Sequence, residues 1–146
     1  MDWIALFAAV SLTSALGAPG EPAYWRALLS GLDDIRASAF TSAEAGLLAF
    51  VYPEDSELHR SDVATMTAYA SRGLTIDGMR MRIQSLQVLD YDPSEARLEV
   101  VDQLGETRVR TNSGQWRALP ADRPTQRVVT LTFTEAGWRI TSAQTK

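Results

Sequence analysis

Residues 74–91, LTIDGMRMRIQSLQVLDY, decide the fold. Upstream of Leu74 apolar residues recur at helical spacing; from Leu74 onward they alternate with polar ones, the period of a strand. Ile76 belongs to a short strand that ends at Asp77-Gly78. Met79, Met81 and Ile83 then share one face, but the next apolar residues are Leu86 and Val88. The phase slips by one near Gln84-Ser85, as a β-bulge would make it, and a bulged strand bends its sheet.

Three helical patterns precede this point. In Tyr24–Phe40 the apolar positions Trp25, Leu28, Leu29, Leu32, Ile35, Ala39 and Phe40 form a stripe. Thr41 and Glu44 have capping-box spacing, which predicts a second short helix carrying Leu47, Leu48 and Val51. After the turn Tyr52-Pro53-Glu54-Asp55, Ser56 or Ser61 caps a third helix with Val63, Met66, Tyr69 and Ala70 inward, stopped by Gly73.

Strand patterns fill the remainder. Asp92-Pro93-Ser94 turns the chain into a strand with Leu98, Val100, Asp102 and Leu104 on one face. A strand around Thr107–Thr111, a polar loop from Asn112 to Pro124, and strands at 127–134 and 138–142 about the turn Glu135-Ala136-Gly137 follow. Helices first and long antiparallel strands afterwards predict an α+β fold: three N-terminal helices packed on a strongly curved antiparallel sheet.

Composition narrows the chemistry. The 146 residues are 45% apolar and 22% charged, with no Cys, a single His and a net charge of −4. Such a length and apolar fraction suit one globular domain. Without Cys there is no disulfide, thiolate metal site or cysteine nucleophile, and one His cannot make a His-rich metal cluster. A pI near 4.9 argues against a surface built for nucleic-acid phosphates. No G-x-S-x-G elbow or Gly-rich phosphate loop occurs, and neither a metal nor a cofactor is expected. Of the 14 basic residues only Lys146 is Lys, a skew toward Arg that GC-rich bacterial genomes produce.

Residues 3–18, WIALFAAVSLTSALGA, form an uncharged apolar run before the breaker Pro19-Gly20-Glu21-Pro22. The run is short for a membrane span. It matches an export-signal core followed by small residues, although Asp2 stands where a basic residue is usual. A leader or anchor, a helix packed on the domain, and part of a longer membrane helix are the competing readings. The division expected is leader or anchor and linker over 1–20, and one domain over 21–146, in an exported or membrane-anchored protein.

The element order, with WRALLSGLDDIRASAF (25–40) opening and GWRI (137–140) closing, resembles the nuclear transport factor 2-like, or SnoaL-like, cone fold. The arrangement is also similar to small exported or membrane-anchored actinobacterial proteins without assigned chemistry. The resemblance implies a cone-shaped cavity but no single function, since this superfold hosts isomerases, cyclases, dehydratases, secretion scaffolds and binding modules.

Within that frame, Asp102 is a carboxylate on an apolar wall, so it requires a partner or a raised pKa. Arg36 interrupts the helical stripe Leu29, Leu32, Phe40 and is the expected partner. The resemblance implies that a cone aspartate could serve as acid or base, with a Tyr polarising an oxygen. Tyr24, Tyr52 and Tyr69 are the candidates, and core packing is the alternative for all three. His59, in a polar stretch, reads as solvated. Arg80 with Arg82, and Arg108 with Arg110, read as an anion-binding stripe or as a charge-balanced sheet face. Trp116, flanked by polar residues, reads as a contact residue or as a side chain folded back on the sheet. Two functions stay open, besides an accessory domain detached from a longer membrane protein. One is a non-enzymatic module of the bacterial cell envelope that binds a small apolar ligand or a protein, with Asp102, Arg36 and Trp116 as binding residues and a homodimer through the sheet as a possible assembly. The other is a small pocket enzyme with Asp102 as acid or base. Membrane attachment would run through residues 3–18; no nucleic-acid partner is expected.

Overall fold

In the computed structural model the described residues are 18–146. All of the apolar run 3–18 except Ala18, and with it the leader or anchor reading, lies outside them.

Helix α1 spans Pro22–Ser42, with proline in its first turn, where the missing N–H is harmless. It buries Trp25, Leu29, Leu32, Ala39 and Phe40, the stripe read from sequence. The helix ends in a Schellman motif: Ala43 is left-handed (φ 55°), Glu44 N donates to Ala39 O at 3.0 Å, and Ala43 N to Phe40 O at 3.3 Å. This closure absorbs Thr41 into α1, so the capping box expected at Thr41 and Glu44 does not form. A 3-10 helix, Ala45–Phe50, stands where the second α-helix was predicted. Helix α2 spans Glu57–Ser71, and of its two candidate caps Ser56 is used: its hydroxyl accepts from His59 N at 3.2 Å. Met66 is buried and Val63 and Tyr69 half-buried, whereas Ala70 faces out. Replacing Ser56 with Ala leaves an orphan N–H at the helix start and is expected to cost about 1 kcal/mol in urea denaturation.

The strands are β1 (Thr75–Asp77), β2 (Met81–Tyr91), β3 (Glu95–Leu104), β4 (Arg108–Arg110), β5 (Trp116–Ala118), β6 (Thr125–Thr134) and β7 (Gly137–Thr145). Four make one antiparallel sheet, β2-β3-β6-β7, and three a smaller one, β1-β4-β5. The helices pack against these sheets in an α+β, cone-like arrangement. The expected bulge is present: the β2–β3 register shifts between Ile83 and Ser85, and again between Val88 and Asp90. A further shift between β6 and β7 lies at Thr130/Leu131. The stretch 112–124, read as a loop, includes β5, three residues that become a strand only by pairing with β4.

Between the two sheets the chain is kinked at Gly78 (φ +85°), and the connection Gly105–Thr107 packs closely against it. Gly105 N donates to Arg80 O at 2.7 Å, and the Thr107 hydroxyl lies 3.2 Å from Gly78 O and 2.9 Å from Gly105 O. On the far side, Ile140 N of edge strand β7 donates to Val51 O at 2.8 Å, so the segment after the 3-10 helix covers that edge. Trp25, Leu48, Val51, Leu98, Val100 and Leu131 form the fully buried centre. Leu29, Val129 and Ile140 belong both to this core and to the wall of a cavity beside it.

Candidate functional site

Between α1, α2 and the four-stranded sheet lies a cavity of about 390 Å³. Its walls are apolar where Leu29, Met79, Met81, Leu104, Val129 and Ile140 contribute, and its mouth passes the exposed Ser61 and Asp122. The volume is within the range of small-molecule pockets.

Both residues expected to pair across the helix–sheet interface line this cavity, but each has a different partner. Arg36 makes a two-pronged contact with Asp62 of α2, Nε to Oδ2 at 2.7 Å and Nη2 to Oδ1 at 3.0 Å. The Tyr52 hydroxyl donates to the same Asp62 Oδ2 at 2.8 Å, and the Arg36 guanidinium lies 5.0 Å from the Phe40 ring centroid. Asp62 therefore neutralises Arg36 with a two-pronged contact. Although burial alone would lower the Arg36 pKa, its bonds to Asp62 hold it above the usual value. Burial pushes the Tyr52 phenol above its usual value, so this hydroxyl stays protonated and donating. Asp102 accepts from Arg127 Nε at 2.8 Å. Arg127 is opposite Val100 in the register, so the ion pair is the diagonal neighbour on the inner face. The expected Arg36–Asp102 contact is thus replaced by two separate ion pairs, Arg36–Asp62 and Arg127–Asp102.

A third carboxylate stands between them. Asp33 on α1 is 8% exposed and lines the cavity, and no described residue hydrogen-bonds its carboxyl. Burial is the main cause that raises its pKa to about 7; Arg36 opposes the rise, and Asp102 adds to it. The sequence contained a signal for it. Steps of 100° per residue carry Asp33 onto the face of Leu29, Arg36 and Phe40, while Asp34 turns outward to Arg80, 3.1 Å away.

The raised pKa of Asp33 makes stability depend on pH. The folded chain retains this proton up to about pH 7, while the unfolded chain loses it near 3.8. Between those values the native state binds more protons, so this group's contribution makes stability fall as pH rises and level off above 7. Asp33→Asn removes that slope. The variant is expected to match the parent near pH 4 and to exceed it by a few kcal/mol at pH 8, read by urea denaturation at both pH values.

The other candidates lie elsewhere. Tyr24 packs edge-on against Trp25, with centroids 4.9 Å apart, outside the cavity lining. Tyr69 borders a small crevice with Phe40, Met66 and Ile76. His59 is half-buried in the first turn of α2. Trp116 sits on β5, with the Arg108 and Arg110 guanidiniums 4.5 and 5.6 Å from its ring. Arg108 also pairs with Asp77 at 3.0 Å, so the basic stripe there is partly neutralised. Among the described residues no helix is long and apolar enough to cross a membrane.

No family model and no curated protein matches the chain. Solved structures do. The intermembrane space region of chloroplast protein ARC6 superposes with a TM-score of 0.64 at 16% identity, over 86% of this chain and 95% of that one. Aln2 from a Streptomyces species gives 0.55 at 14% identity, over 90% and 93%. A putative aromatic ring hydroxylase from Novosphingobium aromaticivorans gives 0.53 at 13%, over 81% and 85%. At these identities the likeness is one of fold: this chain shares a cone-like α+β architecture with proteins of very different description.

Proposed function

We infer that the domain is a nuclear transport factor 2-like module that binds a small, largely apolar molecule in its cone, with Asp33 fixing the polar end. The carrying observation is the Asp33 carboxyl, on a buried residue, which no described residue hydrogen-bonds and which opens onto the cavity. A stable fold has no use for such a group, whose burial costs free energy that pairing or a ligand would offset. Arg36–Asp62 and Arg127–Asp102 act as the frame that holds α1, α2 and the sheet around it. The apolar run 3–18 supports placing the domain in the bacterial cell envelope, exported or held at the membrane.

A second reading, acid–base catalysis of the isomerase or cyclase type, is favoured by the setting of Asp33: burial on the cavity wall raises its pKa to about 7, where a general acid or base works best. The role then falls on Asp33, since Arg127 holds Asp102. Members of this fold include both binding and enzyme modules, and the likeness to solved structures does not choose between them.

The binding reading is tested with Nile red, a neutral apolar dye whose fluorescence rises in such pockets. Saturable binding that is abolished by Ala143→Phe, on the half-buried cavity wall, is the expected result, with circular dichroism verifying the variant's fold. Unchanged dye binding by a folded Ala143→Phe would sink it.

A further inference from the structure

We propose that the ligand carries a protonated amine, an alkyl- or arylalkylammonium group, that enters the cone head first and pairs with the Asp33 carboxylate. This rests on the pocket reading above and adds the chemical class. Four aspartates line the cavity, Asp33, Asp62, Asp102 and Asp122, against two arginines, Arg36 and Arg127. Both guanidiniums already face a carboxylate, Arg36 through two bonds to Asp62 and Arg127 through one to Asp102. Both arginine charges are thus already balanced by carboxylates, so an anionic ligand would meet a lining of net negative charge. A cation displaces nothing: Asp33 is the carboxyl left over, 8% exposed and without a described hydrogen-bond partner. Asp122, at the mouth, adds negative charge along the way in, although its own carboxylate also accepts from Leu104 N at 2.7 Å. The apolar walls of Leu29, Met79, Met81, Leu104 and Val129 suit the hydrocarbon body behind the nitrogen.

Protonation of Asp33 competes with the amine. The charged groups that act on it are Arg36 and the outward-turned Asp34 on α1, Asp102 on β3 and Arg127 on β6. Asp62 on α2, Tyr52 before it and Asp122 in the loop after β5 share the cavity; β2 and β7 contribute only apolar walls there. The alkylammonium stays charged from pH 5 to 8. Affinity therefore rises over that interval as Asp33 ionises, and a proton is released on binding at the acid end.

The test uses three ligands with one body: 4-phenylbutylamine, 4-phenylbutan-1-ol and 4-phenylbutanoate, titrated calorimetrically into the full chain. At pH 8 the amine is expected to bind about tenfold tighter than the alcohol or better, since a charge-assisted contact is at stake, with the carboxylate weakest. The amine's advantage shrinks at pH 5, and Asp33→Asn erases it while leaving alcohol binding in place. Equal binding of all three, or an amine preference that survives Asp33→Asn, overturns the ammonium assignment and leaves the pocket reading standing. No binding by any of the three, or binding undiminished by Ala143→Phe, overturns both.

Discussion

Arg36→Met is expected to destabilise the fold by about 3–5 kcal/mol in urea denaturation at pH 7. The side chain is 19% exposed and its partner Asp62 11%, so water screens the pair only weakly. Removing the guanidinium strands the Asp62 carboxylate with the Tyr52 hydroxyl as its remaining side-chain donor among the described residues, at 2.8 Å. It also removes the counter-charge that Asp33 feels from the next turn of α1 and the contact with the Phe40 ring. Asp62→Leu leaves the opposite charge unpaired and is expected to cost a similar amount. The double variant costs much less than the sum, because no charge is left behind; its remaining cost includes the orphaned Tyr52 hydroxyl. A cycle of Arg36→Met with Asp102→Leu, which share no bond, is expected to show far weaker coupling. Strong coupling there, or additivity for Arg36 with Asp62, would reverse the assignment of partners.

The same pair shows where sequence reading reaches its limit. Helical spacing correctly puts Arg36 on the buried stripe, and strand alternation correctly turns Asp102 inward. Periodicity fixes which face a side chain is on. It does not fix which of several inward acids an arginine meets, because that depends on how α2 is placed beside α1. Asp62 sits in a run of polar residues, Arg60-Ser61-Asp62, that reads as solvated until the helix is docked. Asp33 was hidden in a similar way by Asp34, since a pair of aspartates suggests an exposed turn of helix although one of the two must face the stripe. The bulge after Ile83 was legible because a phase slip is local. Strand β5 was not, for its three exposed residues gain strand geometry only from β4 across the hairpin. The capping box failed for a local reason that won: the left-handed Ala43 closes α1 two residues beyond Thr41.

Gly78→Ala is expected to cost about 3 kcal/mol or more, although it adds a single methyl to a turn. Gly78 has φ +85°, in the left-handed region that costs an L-residue about 1–2 kcal/mol. The larger part is contact: a Cβ there would lie 2.3 Å from the carbonyl oxygen of Glu106, a backbone atom that cannot swing aside. Relief requires the strand connection from Gly105 to Thr107 to move away, loosening the bond from Gly105 N to Arg80 O and the Thr107 hydroxyl's contact with Gly78 O. Gly114 is the built-in control. Its φ of +83° is nearly the same, but a Cβ there meets nothing within 4 Å. Gly114→Ala therefore reports the dihedral cost alone, about 1 kcal/mol. Paired urea melts separate the two terms, and equal losses for the two variants would show that the close approach of the chains at the kink contributes nothing. The kink also sets the cavity wall, because Met79 and Met81 follow directly after Gly78. A folded Gly78→Ala chain is thus expected to bind Nile red more weakly than Gly114→Ala, which links one glycine's backbone angle to the shape of the pocket.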